Sequence, residues 1–430
     1  MIQPDLLLKD PNEILTCVPT PGDLTGRQTG MSLATRGTQI LDLAPYPVLA
    51  ARYDLSQTRI IDVRGKVLAP GFVDSHTHVV FGGSRVREYA AKMTRTPAQV
   101  RTLGFPTGIT ASMTMTRAAT EDELFQSAAE RLQRMLRAGT TTVESKSGYG
   151  LSLEHELKML RVNQRLAQPL VVAHASVSLH PSPVLPDVIS TFLGAHAFPP
   201  DKTPEAYVDE ILHEMIPLVR AENLAEFCDV YIDEGYFNLD QTRRILLAAR
   251  ASGFKLKIHA DQYGALGGSE LAAELGVVSA DHLNYTVPET MRKLAEAGVV
   301  GVLMPMIDFA VQHPRPFEAR AMFEVGMTLA LATDMCPGGW TESMQLVMQF
   351  ACRQHQFSPE EALFAATVGG ARALDLHDRG ALSPGLLADI QIWDVPVFEE
   401  VIYRLGNNAV EGVVKQGELV FGEKLRIIDG

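Results

Sequence analysis

Two histidines one residue apart, His76 and His78, close an apolar run, Val67-Leu-Ala-Pro-Gly-Phe-Val-Asp-Ser-His-Thr-His-Val-Val-Phe81. Side chains two positions apart on a strand share a face, so both imidazoles would converge on one point. Neutral imidazole is the commonest metal ligand, and such a pair is half of what a divalent ion needs. Further His and Asp residues stand at the ends of short apolar runs. His259 closes Lys255-Leu-Lys-Ile-His259, His282 closes Ser279-Ala-Asp-His282, and Asp334 closes Ala330-Leu-Ala-Thr-Asp334. Three imidazoles and one carboxylate from this set would bind one divalent transition metal ion, zinc or iron, and leave a position for water. Such an ion lowers the pKa of its water from ~15.7 toward about 7. Each residue taken alone reads first as a packing or hydrogen-bonding residue, but a cluster this polar needs a reason to be buried.

The elements that would position these residues alternate along the chain. Strand candidates are Thr140–Glu144, Ile189–Ala195, Phe227–Ile232, Lys255–Ala260, Val277–Asp281, Val299–Leu303 and Thr328–Thr333, besides the strand ending at His78. Helical patterns lie between them, at Leu153–Leu166, Pro204–Glu222, Asp240–Ala251, Glu289–Ala297 and Pro316–Val325. Eight strand–helix units are the signature of an α/β (β/α)8 TIM barrel, whose catalytic groups sit at the C-terminal strand ends. A doubly wound sheet competes, but no Gly-x-Gly-x-x-Gly follows the first strand. Leu170–Ser178, with His174, also reads as a strand, and the Pro-rich piece after it breaks the pattern. We take Leu170–Pro186 as an insertion or irregular edge. Both chain ends are rich in turn residues and short alternating runs. The expected organisation is residues 1–66 and 381–430 as two parts of one small composite β-sandwich, and 67–380 as the barrel.

Composition narrows the function. With 430 residues, 46% hydrophobic and 21% charged, the chain has an ordinary globular balance. A formal net charge of -13 argues against nucleic-acid binding, yet allows a small anion to be held by a local cation. No apolar stretch approaches the roughly 20 residues of a membrane span, so no membrane partner is expected. Met1–Lys9 lacks a basic start and a long apolar core, which makes the cytoplasm the expected location. Cys17, Cys228, Cys336 and Cys352 form no CxxC pair and read as free thiols. A homodimer is the general expectation for such a chain.

His-x-His on strand one, His on strands five and six and Asp on strand eight together resemble the amidohydrolase superfamily. Within it the chain is similar to the enzymes of histidine degradation that open a five-membered imidazolone ring. The segments that carry this are Pro70–Arg85, Thr116–Ala119, Thr141–Leu151 with Lys146-Ser-Gly-Tyr-Gly-Leu151, Glu156–Leu160, Ser190–Pro199 with Leu193-Gly-Ala-His-Ala197, His259–Gln262 and Ser279–Leu283. The Lys-Ser-Gly-Tyr-Gly-Leu and Leu-Gly-Ala-His-Ala blocks are far more specific than the metal pattern.

The resemblance implies that His76, His78, His259 and Asp334 hold the metal. It implies that Arg85 holds a substrate carboxylate, which fits the bidentate match of guanidinium and carboxylate. Tyr149 would hydrogen-bond the substrate, and His196 would bind the ring or its developing oxyanion, with His174 the weaker candidate. Gln262 would contact the ring nitrogens. Glutamine cannot act as a base, so proton transfer falls on Asp334 and His282. Lys146 reads as structural or as a charge partner. The usual Thr-Asp-x-Asn-Pro-Gly-(Ser/Thr) stands here as Thr333-Asp-Met-Cys-Pro-Gly-Gly339. Cys336, Gly338 and Gly339 therefore belong to an altered substrate rim, and Cys336 reads as a small pocket-lining residue. The implied reaction is hydrolysis of the cyclic amide of 4-imidazolone-5-propanoate, a small anionic substrate, to N-formimidoyl-L-glutamate. The alternatives are a hydantoin-, thiohydantoin- or lactam-like ring acid, deamination of a ring amidine, or a barrel that binds without catalysing.

Overall fold

The apolar runs that end in His or Asp become strands of one parallel sheet. In a computed structural model that describes residues 2–168 and 184–428, these strands are β1 (Phe72–Asp74), β2 (Thr140–Lys146), β3 (Asp187–Ala195), β4 (Phe227–Val230), β5 (Lys255–Ala260), β6 (Ser279–His282), β7 (Val300–Leu303) and β8 (Leu329–Leu331). They pair in chain order, each parallel to the next. The expected eight-stranded barrel is thus the observed one. Strand β1 stops at Asp74, short of the histidines, because the chain there turns to seal the barrel. The His76 carbonyl accepts the Asp334 N–H at 3.0 Å and the His78 N–H donates to the Met335 carbonyl at 2.8 Å. Thr77 bridges Met335 between them. The Asp74 carboxylate ties the same seam, accepting from Thr333 Oγ1 at 2.6 Å and Thr333 N–H at 3.1 Å.

Helices cover the outside. Glu121–Arg137 starts at a Thr120 capping box with Glu123, which satisfies otherwise orphaned N–H groups. Its Leu124, Ala128, Leu132 and Met135 pack on Val79, Val80 and Phe81 just past the histidine pair. A buried leucine contributes about 1.5–3 kcal/mol, so this face anchors the segment that carries His76 and His78. The expected helix Pro204–Glu222 is interrupted. It runs as Pro204–Glu210, a π-helical turn Ile211–Met215, and Ile216–Ala221. Pro217 lacks an N–H and cannot continue regular i→i−4 bonding. The helices Val86–Lys92, Pro97–Arg101, Gly108–Ala118 and Pro305–Val311 have no counterpart in the sequence reading.

Both chain ends build two further sheets. One has five strands, from Leu6–Lys9, Ser32–Arg36, Gln39–Ala44, Arg59–Asp62 and Arg426–Ile428. The other has six, including Glu13–Leu15, Ile390–Trp393 and Val410–Lys415. Leu8, Leu33, Ile61, Leu68, Ile390 and Val414 form a shared core between them, as a sandwich requires. Val67–Pro70, which the sequence reading put in the barrel, belongs to this second sheet, pairing antiparallel with Ile390–Trp393. Gly71 then lets the chain pass into the barrel, since a Cβ there would lie 2.1 Å from Thr141 Oγ1. His174 and nearly all of Leu170–Pro186 lie outside the described residues. No described helix is long and apolar enough to cross a membrane.

Candidate active site

Residues of alternating strand positions fill the barrel with charge rather than with aliphatic layers. Glu144 and Lys146 on β2, Lys257 on β5 and Asp281 on β6 are fully buried, as is Asp229 on β4. Lys146 Nζ lies 2.7 Å from Asp229 Oδ2, 3.0 Å from Glu144 Oε1 and 3.4 Å from Asp281 Oδ2. Lys257 Nζ lies 2.9 Å from Glu144 Oε2. Each buried charge thereby has a partner, without which it would not stay ionised. Lys146 is the charge partner the sequence reading expected.

This network supports the histidines from below. Burial raises the Asp281 carboxyl, but Lys146 and Lys257 outweigh burial and keep it low. An ionised carboxylate only accepts, so at 2.6 Å His76 Nδ1 donates its hydrogen to Asp281. The lone pair of His76 is then on Nε2, which is buried and has no partner among the described residues. His259 Nδ1 lies 3.0 Å from Asp229 Oδ2, off the line of a straight hydrogen bond, and its Nε2 is also without a partner. Carboxylates behind the far ring nitrogen are how metal-binding histidines are oriented.

The donor atoms converge. Ligand atoms of His76, His78 and His259 lie within 4.8 Å of one another, and so do those of His76, His282 and Asp334. Asp334 Oδ1 is 3.7 Å from Nε2 of both His76 and His78. Burial holds His76, His78 and His282 well below the ordinary imidazole range, so all three are neutral donors of lone pairs. Buried, unpartnered nitrogens beside one carboxylate fit a divalent transition ion. Asp334 (φ 46°) and His282 (φ 80°) sit in left-handed backbone that side chains rarely adopt, a strain of the kind stored at working sites.

A cavity of about 390 Å³ opens over this cluster, lined among others by His78, Arg85, Tyr149, His196, Gln262 and Cys336. His259, His282, Asp334 and Gly338 also line it. Gly339 does not. Its carbonyl accepts the Cys336 N–H at 3.1 Å, and a Cβ there would meet Ile307 Cδ1 at 2.1 Å, so it shapes the wall from behind. Burial pushes the Cys336 thiol up to about 12, with Asp334 adding to it, which leaves a neutral lining group. His196 stacks on His78, with ring centroids 5.1 Å apart. Its Nδ1 lies 3.0 Å from the Gly148 carbonyl, which can only accept. Burial, reinforced by His259, brings His196 down to about 3, so the ring is neutral with its hydrogen on Nδ1. Its Nε2 is then an acceptor, which suits a ring N–H better than the oxyanion the sequence reading allowed.

Arg85 differs from expectation in its geometry. Its Nε and Nη2 each lie 2.8 Å from a Glu88 carboxylate oxygen. That edge of the guanidinium fork is taken, and the cavity side retains Nη1. Sequence reasoning did not find Glu88, Asp229 or Asp281, nor the Tyr231, Tyr236 and Tyr263 wall of the cavity. A charge inside an otherwise apolar strand, as in Phe227-Cys-Asp-Val230 or Ser279-Ala-Asp-His282, was the available signal for the two aspartates.

Comparison with known proteins agrees with the geometry. Residues 91–421 match the model of the amidohydrolase family. The imidazolonepropionase of Alkaliphilus metalliredigens is 39% identical over 436 residues, 99% of each chain. That of Geobacillus kaustophilus is 41% identical over 407 residues, 93% of this chain and 92% of its own.

The chain belongs to the imidazolonepropionase family of amidohydrolases.

Among solved structures, a zinc-bound adenosine deaminase from Xanthomonas campestris superposes with a TM-score of 0.71 at 18% identity, covering 100% of this chain and 95% of its own. A triazine hydrolase variant gives 0.70 at 16% identity, covering 99% and 96%. These two share the fold of this chain.

Proposed function

We propose that the protein hydrolyses the cyclic amide C–N bond of 4-imidazolone-5-propanoate to N-formimidoyl-L-glutamate, in the cytoplasm. The observation that carries this is one cavity with a His/Asp donor cluster at its floor and a guanidinium on its wall, in a chain about 40% identical to imidazolonepropionases. His76, His78, His259 and Asp334 would hold one divalent ion, zinc or iron. When bound, the ion supplies a Lewis acid that makes water a nucleophile near neutral pH and polarises the ring carbonyl.

The chain's own residues do the rest. Arg85 Nη1 receives the propionate carboxylate and fixes the ring's orientation. Tyr149, buried at 3% exposure, and Gln262, at 9%, present polar groups to the ring. His196 Nε2 accepts from a ring N–H and so selects a tautomer. Asp334 accepts the proton of the attacking water, and His282, 5.3 Å from His259 by ring centroids, relays a proton to the departing ring nitrogen. The carbonyl carbon gains the water oxygen, the ring C–N bond breaks, and the nitrogen leaves protonated. Ultraviolet loss of freshly generated imidazolone propionate, run beside hydantoins, thiohydantoins and lactam acids, tests the reading. Turnover of one of those rings with none of the imidazolone would sink it.

A further inference from the structure

Arg85, Glu88 and Lys92 follow one another at helical spacing, the first preceding and the other two on the helix Val86–Lys92. Glu88 is only 3% exposed, and a carboxylate so buried must be paired. It accepts from Arg85 Nε and Nη2 at 2.8 Å each, lies 2.6 Å from Lys92 Nζ, and accepts the Gly108 N–H at 3.1 Å. Four donors from three residues on two segments therefore meet one side chain. Burial pushes the Glu88 carboxyl up, but hydrogen bonds from Arg85 and Lys92 outweigh it and bring it down to about 2. The carboxylate is ionised throughout the working pH range.

Two consequences follow for the cavity. Arg85 and Lys92 both line it, together with His78 and Asp334, so two cations face an anion that would otherwise be met by long, mobile side chains. A free arginine side chain is rich in rotamers, and ordering it before the substrate arrives removes that entropic cost from binding. The clamp also leaves two positive charges against one negative, which matches a substrate with a single remote carboxylate. Arg85 Nη1 is the terminal amine left toward the loop, 3.5 Å from where a Cβ on Gly338 would stand.

We propose that Glu88 is a positioning residue for substrate recognition, holding Arg85 with Nη1 toward the cavity and sharing Lys92, so that the pair reads one carboxylate on the substrate. This rests on the substrate reading above. Glu88 touches no reacting atom, so its loss must show in binding and not in the chemical step.

The test is the split between KM and kcat in Glu88→Gln with the metal-loaded full-length enzyme. KM for imidazolone propionate rises about tenfold and kcat stays within about twofold. With the propionamide analogue, which has no carboxylate, wild type and variant have equal kcat/KM. Adding Glu88→Gln to the Arg85→Gln, Lys92→Gln double variant costs nothing further, since both cations that Glu88 holds are then already gone. A fall in kcat at constant KM, or an equal loss on acid and amide, overturns the proposal and makes Glu88 a fold element only. If Glu88→Gln does not fold, Glu88→Asp, which keeps the charge but shortens the reach, must show the same split in milder form. If wild type does not open imidazolone propionate, the substrate reading falls. The clamp is then judged by calorimetry with glutarate, where about tenfold weaker binding to Glu88→Gln sustains it and equal binding overturns it.

Discussion

Asp334 is asked to be both ligand and base with one carboxylate, and its surroundings define what that demands. Burial pushes its carboxyl well above the ordinary range, so only a neighbouring cation keeps it ionised. Asp334→Asn retains three imidazoles and the side chain's shape while removing the proton acceptor. We expect it to keep bound metal, measured by elemental analysis, and to lose at least about 10²-fold in kcat. Full activity with metal bound would falsify the base assignment. The donor cluster itself was legible because each His or Asp closes an apolar run, a pattern local to the sequence. Glu88, Asp229 and Asp281 were not, since what gives each its meaning is a partner on another turn or strand. His196 was legible as a site residue but not in its role, because its tautomer depends on the Gly148 carbonyl 48 residues away.

At the scale of elements, the loop after β2 depends on Gly148. Its φ is +108°, and a Cβ there would stand 2.8 Å from His196 Nδ1 and 2.9 Å from the Leu193 carbonyl. Gly148→Ala should destabilise by more than about 1 kcal/mol and, by moving His196, raise KM for the ring substrate. Unchanged melting and kinetics would show that the loop yields freely. The helix Met344–Gln354 ends at His355, whose ring stacks 3.9 Å from Phe317 and whose Nδ1 is buried without a partner among the described residues. Burial lowers His355 from its ordinary value of 6.5 to about 4. Between those values the unfolded chain binds more protons than the folded one, so stability is complete above 6.5 and falls as pH drops toward 4. The slope is at most about 1.4 kcal/mol per pH unit. His355→Gln should flatten the decline of the denaturation midpoint between pH 6.5 and 4.5, and an unchanged pH profile would refute the account. Strands were legible to within a few residues because their burial makes them continuous apolar runs. The short helices at the cavity mouth were not, since Val86–Lys92 and Pro305–Val311 are stabilised by tertiary contacts rather than by a long periodic face.

At the scale of the molecule, the barrel seam and the donor cluster are the same residues. His76 supplies the carbonyl that receives the Asp334 N–H, while its Nε2 lies 3.7 Å from the Asp334 carboxylate. Without a cation, neutral imidazoles and a buried carboxyl face one another across the seam between β1 and β8, and the seam gains nothing from them. An ion held by both edges would act as a staple between β1 and β8, so occupancy must register in global stability as well as in activity. Binding to the folded state alone adds about 2.7 kcal/mol at a hundredfold excess over Kd. A chain of this length should respond with a rise of several degrees in its melting temperature. The measurement is calorimetry on protein stripped with a chelator, then reloaded with zinc or ferrous iron, with bound metal quantified in each sample. Stripping should lower the transition and abolish turnover, and reloading should restore both in proportion to occupancy. An identical transition with and without stoichiometric metal would mean that hydrogen bonds alone close the seam, and that the donor cluster contributes to chemistry but not to the fold.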